Sequence, residues 1–265
     1  MRRNGCAYEC VLLDLNTQWD FLDENAPCRA ANADRLIPVL RSIIAWTLRN
    51  QVPIVSAMES HRPEEVDLRG AAPYCVDGTG GQQKLDFTLL PNRAMVEGDN
   101  TLTVPLDLFQ RHQQVVFRKR TTDLLANPKA DRFLTQLAVR EYLIFGLGLE
   151  WSVKALALGL MARNRSVTIV ADACGYWSTT AAEFTLRQLA AKGAALITVE
   201  ELLTRKLPRP RRYSRLLDGN GNGKGYDPGR SGIYPGYPAV TVRGGNGGPR
   251  INGRPQPPPR APAAS

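Results

Sequence analysis

Short continuous apolar runs along the chain alternate with stretches in which apolar residues recur every three or four positions. The first run, Cys10-Val11-Leu12-Leu13-Asp14, has the length and character of a buried strand. From Ala33 to Asn50, the residues Leu36, Val39, Leu40, Ile43, Ile44 and Leu48 follow a helical period, with Asn32 or Asp34 available as a cap. The same periodicities predict strands at 53–57, 114–117, 142–146, 167–171 and 195–199, and helices at 129–137, 150–163, 181–191 and 200–206. Uninterrupted apolar strands joined through helices form a sheet buried on both faces. The expected fold class is α/β, a three-layer Rossmann-like domain with a mainly parallel sheet covered by helices.

In such sheets, ligands bind outside the carboxyl ends of the strands. That directs attention to Asp14, Glu59 with His61, Lys119, the segment 146–152 and Asp172. The stretch 61–113 is too long for a plain connection, and it is expected to cover the site.

The periodic pattern ends near residue 207, and composition changes there. The chain of 265 residues carries 34 Lys/Arg against 25 Asp/Glu, a formal net charge of +9. Residues 204–265 hold twelve of the basic residues and two of the acidic ones, so the preceding part is close to neutral. The last segment also holds 12 of the 23 glycines and 11 of the 19 prolines. Such a composition buries too little apolar surface to offset chain entropy. The chain therefore divides into a folded domain, 1–207, and a basic Gly/Pro-rich disordered tail, 208–265. A neutral body argues against nucleic acid as the partner, and any such contact would fall to the tail. No apolar run reaches the ~18 residues of a membrane helix, so no membrane role is expected. The first apolar stretch is also too short for a signal core, which suggests a cytoplasmic location. Five cysteines without metal-type spacing are expected to be reduced thiols.

Five segments, in order, resemble the isochorismatase-like hydrolases, the family that includes nicotinamidases. Val11-Leu12-Leu13-Asp14-Leu15-Asn16 followed by Trp19-Asp20-Phe21 is similar to the first strand of the family, whose aspartate is catalytic. Pro73-Tyr74-Cys75-Val76-Asp77-Gly78-Thr79-Gly80-Gly81 resembles the loop PxHCVxGTxG, and Val116-Phe117-Arg118-Lys119 the strand bearing the catalytic lysine. Residues Phe145 to Val153 resemble the G-x-x-T-x-x-C-V turn that carries the nucleophile, and Val170-Ala171-Asp172-Ala173 the V-x-D-A strand. The resemblance implies Asp14, Lys119 and Ser152 as catalytic residues meeting in one pocket. Asn16, Phe21, Tyr74, Gly148 and Trp151 are implied as its lining, with a small-molecule substrate and a homo-oligomeric assembly.

The departures fall on the chemistry. Serine stands at the nucleophilic cysteine position, Ser152, and Tyr74 at the loop histidine that nicotinamidases use as a metal ligand. The D-x-H that precedes the loop reads Glu59-Ser60-His61, and the first motif is two residues longer than D-x-Q-x-D-F. Glu59 and His61 are thus poor metal candidates. No resident cofactor is expected, and any divalent-metal site would be degraded. A hydroxyl is harder to activate than a thiol, and a carboxylate is a poor base for it. The implied function is hydrolysis of a small-molecule amide or related bond with Ser152 as the attacking group. Two alternatives stand beside it: acid catalysis by Asp14 with Lys119 holding a substrate carboxylate, and a catalytically inactive member that binds a metabolite or protein through the same pocket.

Overall fold

A computed structural model describes residues 8–65, 73–98 and 102–207. The tail expected over 208–265 lies outside the described residues. Seven strands form one all-parallel sheet: β1 (Tyr8–Leu15), β2 (Ile54–Glu59), β3 (Arg93–Val96), β4 (Gln114–Lys119), β5 (Val139–Leu147), β6 (Val167–Gly175) and β7 (Ala195–Ile197), in the spatial order 3-4-2-1-5-6-7. The helices are α1 (Trp19–Leu22), α2 (Ala33–Asn50), α3 (Pro128–Gln136), α4 (Lys154–Ala162), α5 (Thr179–Ala191) and α6 (Val199–Thr204). The α/β class and the parallel sheet agree with the sequence pattern. β3 and the one-turn α1 carry no apolar period of their own and were not predicted.

Alternation along the central strand builds the layers. Val11, Leu13 and Leu15 point into a core with Phe133, Leu134, Leu156, Leu160 and Leu189 of α3, α4 and α5. Cys10 and Leu12 point the other way, onto Leu36, Leu40, Ile43 and Trp46 of α2 and Leu202 of α6. Period-two side-chain geometry thereby divides the buried residues of β1 between two cores.

Local caps fix where elements begin. The Asn127 side chain accepts from the backbone N–H groups of Lys129 and Ala130 at the start of α3, and its amide donates to the Arg118 carbonyl at the end of β4. Asn127→Ala removes a cap and an inter-element tie together. It is expected to cost about 1–2 kcal/mol in chemical denaturation, the upper end of cap effects.

The chain leaves β1 toward β2 and returns on the other side through β5. β1 and β5 therefore flank the point where strand order reverses, and the crevice at their carboxyl ends is the expected ligand position. Gly146 lets the two strands approach there. It has φ +108°, and a Cβ on it would lie 2.1 Å from the Leu15 carbonyl oxygen.

Candidate active site

At the edge beyond β1, Asn16 adopts a left-handed backbone, φ 51°, which asparagine tolerates better than most residues. This turn aims its amide at Ser152, which lies in the irregular turn Leu149–Val153 that leads from β5 into α4. The Asn16 Nδ2 donates to Ser152 Oγ at 3.0 Å and to Glu59 Oε1 at 2.8 Å. Glu59 and Lys119 are direct cross-strand partners at the ends of β2 and β4. Their ion pair is 2.6 Å long and buried. Lys119 Nζ also reaches Ser152 Oγ at 3.4 Å and donates to the carbonyls of Thr121 and Thr122. Ser152 Oγ in turn donates to Glu59 Oε1 at 3.2 Å. The structure brings Lys119, Ser152 and Asn16 together, with Glu59 at their centre.

Asp14 sits elsewhere. Its carboxylate pairs with Lys84 Nζ at 3.0 Å and accepts from Thr17 and Ser56, all fully buried. The reason is parity. Asp14 shares the face of Leu12 and Ser56, whereas Lys119 follows Val115 and Phe117 on the opposite face. Counted back from Asp20-Phe21, the pattern D-x-Q-x-D-F falls on Asn16-Thr17-Gln18-Trp19-Asp20-Phe21, with asparagine in the aspartate's place. The two-residue excess in the spacing was the available signal. Lys84, from the irregular stretch, carried none.

Gln18 holds Glu59 in position through the backbone. Its amide accepts from Glu59 N at 2.8 Å and donates to the Glu59 carbonyl at 2.8 Å and to the Gln82 carbonyl at 2.7 Å. Burial alone would raise the Glu59 carboxyl, but the Lys119 ammonium and His61 outweigh it and hold it at about 2. Burial pulls Lys119 down, and Glu59 opposes that shift. A folded pKa below the ordinary 4.5 adds stability that is complete above about 4.5 and lost as pH falls toward 2. Acid titration followed by circular dichroism should therefore show a smaller stability loss across that window in Glu59→Gln than in the wild-type protein.

A wall of aromatic rings starts at His61, beside Glu59, and ends at Trp151, the residue before Ser152. The His61 ring meets Tyr74 edge-on, Tyr74 meets Phe21, Phe21 meets Trp177, and Trp177 stacks on Trp151 at 4.7 Å. Trp151 is 50% exposed and forms the outer end of this wall. Gly148 makes room for it, since a Cβ there would lie 2.2 Å from the Trp177 ring. Phe21, Tyr74 and Trp151 thus belong to one run of ring contacts, with Gly148 against Trp177 and Phe21 itself buried. The loop before it is tied down by Asp20, whose Oδ2 accepts from Cys75 N at 2.6 Å, and Cys75 itself is fully buried with its thiol pushed up chiefly by burial. Such a thiol is inert.

The donor set does not fit a metal. One Glu59 oxygen is taken by the Lys119 ammonium, the His61 Nε2 lies 3.5 Å from the other, and Tyr74 offers an edge contact to His61 rather than a third ligand. Among the described residues, no three His, Cys, Asp or Glu gather in metal-holding geometry.

A parallel sheet with a hydroxyl, an ammonium and a carboxylate converging at the strand-order switch is the architecture of an α/β enzyme whose site lies at the strand carboxyl ends. The profile of the isochorismatase domain matches residues 10–201, and the chain belongs to that family of hydrolases. Among solved structures it is similar to an isochorismatase-like hydrolase from Alkaliphilus metalliredigens, with 20% identity over 74% of this chain and 97% of that one and a TM-score of 0.60. It is also similar to a pyrazinamidase of Pyrococcus horikoshii in complex with zinc, with 18% identity, 72% and 99% coverage and a TM-score of 0.58. A nicotinamidase from Bacillus subtilis gives 18% identity, 71% and 98% coverage and a TM-score of 0.58. At these identities the likeness shows a shared fold. No curated protein matches the chain.

Proposed function

We propose that the protein hydrolyses a small-molecule amide or related C–N bond, with Ser152 Oγ as the attacking atom and Lys119 as the cation that faces the developing negative charge. One observation carries this reading: Ser152 Oγ, in the turn after β5, and Lys119 Nζ, at the end of β4, stand 3.4 Å apart at the carboxyl edge of the sheet. The aromatic wall supports a small ligand beside them, and membership of a hydrolase family supports the reaction class. The same reading carries a homo-oligomer in the cytoplasm, and light scattering at micromolar concentration should give a mass above one chain.

Incubation with a panel of small amides, read by mass detection of the acid product, tests the reaction. Ser152→Ala should lower turnover by ~10²-fold or more, the scale of losing a nucleophile from a catalytic unit. A second reading, a pocket that binds a metabolite without turnover, is favoured by a buried atom without a hydrogen-bond partner next to Ser152, Asn16 Oδ1. Under that reading a panel compound raises the melting temperature equally in wild type and Ser152→Ala, and no product forms.

A further inference from the structure

The hydroxyl hydrogen of Ser152 has a definite direction. Of the three side chains around Oγ, Lys119 Nζ carries only donors, and Glu59 Oε1 only accepts. The Asn16 amide is equally constrained. Its group 2.8 Å from a carboxylate oxygen must be the NH2, because an amide oxygen there would face an oxygen with no proton between them. The same NH2 donates to Ser152 Oγ. Two donors therefore point at Oγ, and its own hydrogen is left with Glu59.

We propose that Glu59, from β2, takes the Ser152 proton during attack, and that Asn16, at the end of β1, is the uncharged positioning residue that turns the hydroxyl toward it. This rests on the reading of Ser152 as the attacking atom. In the step, the Oγ–H bond breaks and its proton passes to Glu59 Oε1 while the Oγ–carbon bond forms and the carbonyl π pair moves to oxygen. Glu59 is a weak base while the Lys119 ammonium faces it, so the proton moves with attack rather than before it. Bond formation makes Oγ acidic, and Lys119, losing its counter-charge as Glu59 becomes neutral, faces the new oxyanion. Collapse of the tetrahedral species breaks the C–N bond, and the leaving nitrogen takes the proton back from Glu59. Water then repeats the sequence on the acyl-enzyme, giving its proton to Glu59 and restoring the serine.

An amide at position 16 is part of this arrangement. A carboxylate there would stand at hydrogen-bond distance from Glu59, and two carboxylates in one site cannot both remain ionised next to a single lysine. Asn16 keeps the hydrogen-bond geometry without the second charge.

The test uses an alkyl fluorophosphonate, which requires no knowledge of the substrate. Oγ displaces fluoride from phosphorus, and the hydroxyl proton leaves through the same acceptor. Labelling is mapped to Ser152 by peptide mass spectrometry, with Ser152→Ala as the blank and thermal melting as the fold control. Wild type should label. Glu59→Gln should label ~10²-fold more slowly, the scale of a lost general base. Asn16→Asp/Glu59→Gln returns one carboxylate to the site from β1 and should regain at least tenfold over Glu59→Gln. Labelling of Glu59→Gln at the wild-type rate, or no recovery in the folded double variant, overturns the proposal while leaving Ser152 as the attacking atom. A wild type that does not label removes the serine reading and the proton acceptor with it. If Glu59→Gln alone fails to fold, the double variant decides: a rate within tenfold of wild type supports the proposal, and absent labelling overturns it.

Discussion

Lys84→Met should lower the unfolding free energy by about 3–5 kcal/mol, the usual cost of stranding a buried charge. Asp14 and Lys84 are both fully buried, and their contact is 3.0 Å. Removing the ammonium leaves a carboxylate with only Thr17 and Ser56 as donors among its partners. For a domain of this size the loss corresponds to roughly 6–20 °C in Tm. Asp14→Asn/Lys84→Met, which removes both charges, should recover most of it. The pair also separates two roles for Asp14. If it supports the fold, turnover and fluorophosphonate labelling in Asp14→Asn fall only as far as the folded fraction does. An acid acting on substrate would instead lose turnover at full stability.

The second large effect belongs to the strand crossing. Gly146→Ala must either bring a methyl to 2.1 Å from the Leu15 carbonyl oxygen or separate β1 from β5, and its φ of +108° is itself strained for alanine. Soluble expression should be lost, or the melting transition lowered by more than 10 °C on the scale of about 4 kcal/mol or greater. Gly148→Ala is the informative contrast. Its obstacle is the Trp177 ring, a side chain that can move, rather than backbone. That variant should fold, with a smaller loss of stability and a disturbed aromatic wall visible by near-ultraviolet circular dichroism.

Much of this was legible from residue order because apolar runs and helical periods report burial directly. α2 falls on the predicted residues, 33–50, and all six predicted strands lie within or across observed ones. β3 escaped because its half-buried and buried positions alternate over four residues only, and Ala94, Met95 and Val96 are all apolar, so the residue types show no period. Lys119, Ser152 and Asn16 were visible as strand-end positions in an ordered set of motifs. The partnership of Glu59 was not, since its position read as that of a metal ligand and nothing in the one-dimensional pattern pairs it with Lys119. Asp14 drew attention as the acidic residue closing an apolar strand. The face it occupies depends on register, and only the spacing back from Asp20 encoded that.

The outermost ring of the aromatic wall also makes the site observable by light. The chain has four tryptophans, and Trp46 is buried far inside the α2 layer, so its emission is insensitive to what happens at the crevice. Trp151 is half open to water and lies one residue before Ser152. A molecule settling against it strips water from the indole, which moves its emission toward the blue, and disturbs its coupling to Trp177. The protein thus carries its own optical gauge of occupancy, and a fluorescence titration, with Trp151→Phe as the silent reference, can rank candidate ligands before any product has been found.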